Sequence, residues 1–426
     1  MIGAARITLE PGKLLRIMGP ANLVIEYGKV RILGADYACG SRILIHRFRS
    51  YVVKAVEHSV VSISLGEGAS LEEPAPNEEV VDQWEEIANK ITEHGRFVAV
   101  VMGPVDSGKT SLATMIANVA LSKGLKTALI DIDVGQGDLA PPSFIAMKII
   151  EKPVVWLREL KGDYMYFVGH VTPVQNPYYT RVLSGAKKLL DKALSLGAQA
   201  IVINTGGWVT GLSAIEMKLE LATLVRASHI VVLDDSLCRK VANALQGFAE
   251  VICAPRPRIV RERSRADRKV LRRHQYLRFF DGARRRCISL KQVAVIGSCI
   301  ASGSEEDLSI IPDDVRRTIH PMKLVVHDDA VIILCKREPR SDIVDRLRSI
   351  LGKEVFIVTP STYKGLLCSL AKDDNHYPAI LESIDFEKQE ACFLTCYHGE
   401  VDEVIFGRVK ITEEWEEVTR VSRCPI

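Results

Sequence analysis

Gly103-Pro104-Val105-Asp106-Ser107-Gly108-Lys109-Thr110 follows the apolar run Phe97–Met102 and leads into a helix-patterned stretch that begins near Ser111. The spacing fits G-x-x-x-x-G-K-[ST] in the strand–loop–helix context that gives the motif its mechanism. The glycines let the backbone wrap a phosphate closely, and the exposed amides of a helix N-terminus attract anions. The nucleotide contacts are therefore assigned to Gly103, Pro104, Val105, Asp106, Ser107, Gly108, Lys109, Thr110 and Ser111. Lys109 reaches the β- and γ-phosphates, and Thr110 ligates magnesium.

Working outward, apolar strands alternate with helices through the middle of the chain. The strands are Phe97–Met102, Thr127–Asp133, Ala200–Asn204 and His229–Leu233, and the helices are Ser111–Leu121, Arg181–Leu196 and Ala214–Val225. Continuous apolar strands spaced by helices imply an α/β domain with a parallel sheet covered on both faces. Alternation places Asp131 and Asp133 on one face near the carboxyl edge, where ligands collect. One carboxylate there organises magnesium, so Thr110, Asp131 and Asp133 are the candidate metal residues. The other reaches past the γ-phosphate and accepts a proton from an incoming hydroxyl. The alternative is an aspartate that caps the following loop. No Asn-Lys-x-Asp segment follows the phosphate loop, so ATP is favoured over GTP.

On the N-terminal side, residues 1–70 consist of short Val/Ile-rich runs broken by glycine, which suggests a small β module. The stretch Gly66–Glu79 reads as a linker, followed by a helix over Val80–Glu93. Beyond residue 288 the chain returns to strands with few long helices. The expected organisation is an N-terminal β module (1–70), a central P-loop NTPase domain (71–287) and a C-terminal β-rich domain (288–426).

The chain has 426 residues and a formal charge of only +3, which excludes a polycation. That figure hides an uneven distribution. Arg256–Arg286 holds thirteen Lys/Arg against Glu262, Asp267 and Asp281, a local +10 that leaves −7 for the rest. Such an excess should face a polyanion. Tyr276, Phe279 and Phe280 interleave with the arginines, either to stack on bases or to anchor a helix. No apolar run is long enough to span a bilayer, and Met1–Lys13 lacks a signal-peptide core, so a cytoplasmic protein without membrane contact is expected. The ten cysteines are scattered, which argues for reduced thiols rather than a zinc site or a disulfide scaffold. Eight Gln and eight Asn are few for this length, as in thermophile sequences.

Taken together, Gly-Pro-x-Asp-x-Gly-Lys-Thr, Asp133-Val-Gly-Gln136, Thr205-Gly-Gly-Trp208 and the basic Arg-x-x-x-Arg segment resemble the polynucleotide 5′-hydroxyl kinase family. That family includes archaeal polyribonucleotide kinases, the kinase of the pre-mRNA cleavage and tRNA-splicing complexes, and nucleolar pre-rRNA kinases. The resemblance implies ATP and Mg2+ as cofactors, with Asp133 activating the 5′-hydroxyl and Gln136 beside it. It implies that Thr205 and Trp208 clasp the substrate strand, and that Arg268 and Arg272 belong to a lid (256–282) closing over the phosphates. The catalytic set is then Lys109, Asp133, Arg268 and Arg272. The partner is single-stranded or duplex-end RNA with a free 5′-hydroxyl, DNA being the alternative strand, together with proteins of RNA processing. His170, in Gly169-His-Val-Thr-Pro173, follows an apolar strand and either lines the acceptor side or is structural.

Two other functions compete with a kinase. An ATP-binding scaffold of an RNA-processing complex would hold the nucleotide without turnover. A switch-type ATPase would hydrolyse it slowly with no response to oligonucleotides.

Overall fold

The Val/Ile-rich runs at the start of the chain form two small antiparallel sheets. One runs Gly3–Leu9, Ser59–Leu65, Ala21–Tyr27, Arg42–Ile45; the other runs Ala35–Ala38, Lys29–Ile32, Ser50–Ala55, Leu14–Met18, Ser70–Glu72. Alternate residues turn inward, so that Leu15, Ile17, Leu23, Ile25, Val53 and Ile63 share one core. The computed structural model describes residues 3–93, 95–174, 177–260, 262–419 and 421–426. The chain divides into two compact units. The first comprises Met1–Ala140, Ile145–Tyr164 and Val174–Leu271; the second comprises Pro141–Phe144, Met165–Pro173 and Arg272–Ile426.

The first unit contains the α/β layer. In chain order its elements are β1 (Phe97–Met102), α1 (Lys109–Ser122), β2 (Thr127–Asp131), β3 (Phe144–Ile150), α2 (Tyr178–Ser195), β4 (Ala200–Asn204), α3 (Leu212–Leu224), β5 (His229–Val232), α4 (Asp235–Ala244) and β6 (Glu250–Cys253); the chain then continues into α5 (Arg265–Phe280), whose residues beyond 271 belong to the second unit. Neighbouring strands run in the order β3–β2–β4–β1–β5–β6. The five strands from β2 to β6 are parallel, as their continuous apolar runs require, whereas β3 pairs antiparallel with β2. The expected all-parallel sheet is therefore a mixed one. The reversal occurs at β3 because Pro141, Pro142 and Ser143 turn the chain back with no crossover helix.

The N-terminal module packs on α1. A Cβ on Gly34, which has φ +74°, would lie 2.8 Å from Val119 and 3.1 Å from Met115. Asn118 bridges the two parts, donating to the carbonyls of Leu33 and Val154 at 2.8 Å each.

The second unit is β-rich. Its larger sheet runs Arg284–Ser289, Glu390–Thr395, Asn375–Asp385, Leu366–Lys372, Glu403–Ile411, Ala294–Ile296. Its core includes Leu366, Phe393, Val404 and Phe406. A four-stranded sheet carries the helix Ser341–Leu351, whose Leu347 is fully buried.

The cysteine expectation is corrected. Cys238–Cys253, Cys287–Cys392 and Cys299–Cys424 are disulfides, while Cys39, Cys335 and Cys368 keep their thiols. The pairing was hidden because two of the bonds join residues 105 and 125 positions apart. No helix among the described residues is long and apolar enough to cross a membrane.

Candidate active site

The phosphate loop connects β1 to α1. Gly108 precedes the helix at φ +95°, and a Cβ there would lie 2.7 Å from the Trp84 ring. Trp84 comes from the helix Val81–Ile91, and its indole N–H donates to the Pro255 carbonyl at 2.9 Å. This tryptophan floors the loop, and nothing local in the sequence marks it for that role. The first turn of α1 has no side-chain cap, which leaves its amides available to an anion. The buried Ser107 hydroxyl also has no hydrogen-bond partner among the described residues. A cradle of open amides and an unpartnered hydroxyl fits the phosphates of a nucleotide.

Lys109 is buried, and its ammonium donates to the Pro104 carbonyl. Burial brings it down to about 8, against the pull of Asp133 and Asp106. Asp106 occupies the left-handed region at φ +55°, uncommon for a residue with a side chain. Its carboxylate accepts the Arg268 guanidinium at 2.8 Å and the Arg263 backbone N–H at 3.3 Å. The first turn of the basic helix thus rests on the phosphate loop.

At the carboxyl end of β2, Asp131 is almost fully buried. It accepts the Asp138 N–H at 2.7 Å, the Asp133 N–H at 3.3 Å and the Asn204 amide at 3.1 Å. That amide also lies 3.3 Å from the Thr110 hydroxyl, linking Thr110, Asn204 and Asp131 across three elements. Burial, reinforced by Asp138 and Asp133, pushes Asp131 up to about 7. A cation beside it would reverse that shift. The Asn204 side-chain oxygen is buried with no partner among the described residues. Thr110 and Asp131 therefore fit a divalent ion.

Strand alternation ends at Asp131, which corrects the expectation of two aspartates on one strand face. Asp133 lies in the turn beyond, accepting the N–H groups of Gly135 and Gln136 at 3.0 Å each. The Gln136 side chain folds back to donate to the Gly135 carbonyl at 2.9 Å.

The loop after β4 lies alongside. Thr205 is fully buried, and its hydroxyl donates to the Val101 carbonyl at 2.9 Å. A Cβ on Gly206 would sit 3.7 Å from the Asp133 carboxyl carbon, and one on Gly207 only 2.5–2.9 Å from Val105. This loop occupies a slot between Asp133 and the phosphate loop, and leads to the half-buried Trp208.

Behind Asp131, Asp138 is held between Arg49 at 2.6 Å and Arg158 at 2.7 Å. Burial alone would raise the Asp138 carboxyl, but the two arginines outweigh it and hold it at about 2. Arg158 also donates to the Leu271 carbonyl at 3.1 Å, so the same arginine anchors the basic helix. Arg263 approaches this cluster, and burial and Arg49 lower it to about 10.

The structure thus brings together residues 103–111, Asp131, Asp133, Gln136, Thr205–Trp208 and Arg268. Arg272 lies in the second unit, where it pairs with Glu417. Tyr276, Phe279 and Phe280 are buried, Phe280 lying against Trp415 with ring centroids 5.5 Å apart. Their stacking on bases is corrected accordingly, since they anchor the helix. His170 is buried, with the Thr172 N–H 3.2 Å from its Nδ1.

A strand–loop–helix phosphate cradle on a mostly parallel sheet defines a P-loop NTPase-like protein that binds a nucleotide. Residues 103–282 match the family model described as mRNA cleavage and polyadenylation factor CLP1 P-loop, so the central stretch is a P-loop domain of that type. Two archaeal relatives are a polyribonucleotide 5′-hydroxyl-kinase of Methanocaldococcus jannaschii and one of Pyrococcus abyssi. They are 27% and 28% identical to this chain, over 76% of its length and 90% of theirs. A chain of the solved wild-type Clp1p–Pcf11p complex has the same fold, with a TM-score of 0.62 over 96% of this chain and 98% of that one, at 13% identity.

Proposed function

We propose that the protein is an ATP-dependent polynucleotide kinase that transfers the γ-phosphate to the 5′-hydroxyl of RNA. The observation that carries this reading is the slot. Gly206 and Gly207 run between Asp133 and Val105, so the carboxylate, the phosphate loop and the Trp208 loop share one edge of the sheet. An enzyme that only hydrolyses ATP has no need of a second loop carrying an aromatic side chain at that edge.

Phosphoryl transfer depends on positioning and charge neutralisation more than on covalent chemistry. The ribose 5′-oxygen attacks in line, its bond to the γ-phosphorus forms as the bond to the β,γ-bridging oxygen breaks, and ADP leaves. Asp133 orients the hydroxyl and takes its proton. Lys109 and Arg268 neutralise the moving phosphoryl, which requires Arg268 to exchange Asp106 for phosphate. Magnesium, held by Thr110 and Asp131, supplies further positive charge when bound. Trp208 clasps the substrate strand, while Thr205, expected to share that role, is buried and instead ties the loop to the Val101 carbonyl.

A scaffold that binds ATP without turnover is the second reading, favoured by the Lys109 ammonium resting on the Pro104 carbonyl. Radiolabelled γ-phosphate transfer to matched 5′-hydroxyl RNA and DNA oligonucleotides separates the two. Lys109→Ala abolishes transfer under the kinase reading, and Asp133→Asn lowers it at least about 100-fold while ATP still binds. No labelling of either oligonucleotide by the wild-type protein overturns the kinase.

A further inference from the structure

Lys218 has no part in the chemistry above. Helix α3 turns Ala214, Met217, Lys218, Leu221 and Ala222 inward, which puts a lysine in the middle of an apolar stripe. Only 3% of its surface is exposed. Its ammonium donates to the Gly206 carbonyl at 2.9 Å, and it interacts electrostatically with Lys109 and Asp133. An apolar residue of similar volume would suit stability at least as well, so the buried charge calls for another explanation.

That explanation is the loop it holds. Gly206 backs onto Asp133, and Gly207 has no space beyond its hydrogen before Val105. A loop so confined must keep its carbonyls in register to present Trp208. We infer that Lys218 is a positioning residue: its buried ammonium pins the Gly206 carbonyl and holds the Thr205–Trp208 loop in the slot between Asp133 and Val105. As a contribution to catalysis, the inference rests on the kinase reading.

Lys218→Met keeps the apolar stem and removes the ammonium. In the labelled-phosphate assay kcat falls about 10- to 100-fold, the range for a residue that orients a reacting group. KM for ATP moves less than about threefold, because the phosphate loop itself is intact. Hydrogen exchange of the amides 206–210 quickens at least about tenfold, while that of β4 is unchanged. Lys218→Gln, which keeps an N–H donor without the charge, gives an intermediate rate and serves as the second variant if Lys218→Met does not fold. A folded variant with wild-type kcat and wild-type exchange overturns the inference. So does a rate loss that merely follows the melting temperature. If the wild-type protein itself transfers no phosphate, the kinase reading fails, and the exchange measurement alone decides whether Lys218 pins the loop.

Discussion

Gly207 has no room for a side chain. A Cβ would meet the Val105 backbone nitrogen at 2.8 Å and its Cγ2 at 2.5 Å, so the loop or the phosphate cradle must shift. At the neighbouring Gly206 the nearest atoms to a Cβ belong to Asp133, at the ordinary distances of 3.7–3.8 Å. Gly207→Ala should therefore lower phosphate transfer at least about tenfold, since a displacement of a few tenths of an ångström at a positioning element is felt in rate. Gly206→Ala should stay within about threefold of wild type in the same assay. Asp138 gives a prediction about stability. Asp138→Asn leaves Arg49 and Arg158 without a counter-charge in a buried site and should cost about 3–5 kcal/mol in urea unfolding. The folded carboxyl is held down to about 2, below the ordinary 3.8, so its contribution is complete above about pH 5. It is lost as the pH falls toward 2, and the variant's unfolding profile should lack that step.

At the scale of elements, legibility followed sequence distance. The run from β1 through the loop into α1 could be read because motif, strand and helix are contiguous, and Asp131 stood out because it ends an apolar run. Asp133 was legible as a residue but misplaced on the strand, since nothing in Asp131-Ile-Asp133 says where pairing stops. Partners brought in from elsewhere were not legible. Arg49 meets Asp138 across 89 residues, and Trp84 meets Pro255 across 171. Nothing in the sequence singles out Lys218, whose inward position shows only in the burial of its neighbours on α3. The Cys238–Cys253 bond joins α4 to β6 across 15 residues. Closing a loop of that size restricts the unfolded chain by about 3 kcal/mol. Cys238→Ser should lower unfolding stability by that order, measured by urea titration in the absence of reductant.

At the scale of the whole molecule, the charge split between the basic segment and the rest sets the salt response. Part of the excess is paired internally: Arg268 with Asp106, and Arg272 with Glu417. Exposed positions such as Arg265, Arg273 and Arg284 remain on the surface. If the segment contacts three to five phosphates of a single strand, the log–log dependence of oligonucleotide affinity on salt should have a slope of about −2 to −3.5. A flat dependence, read by fluorescence anisotropy, would mean that the arginines serve the fold alone. The three disulfides set a condition on every one of these measurements. Recombinant protein from a reducing cytosol emerges as a mixture of oxidation states, and a rate taken from it averages over molecules whose β-rich unit is stapled in some and open in others. Thiol counting before and after reduction, against the six cysteines of the three disulfides, is the control that makes two preparations comparable.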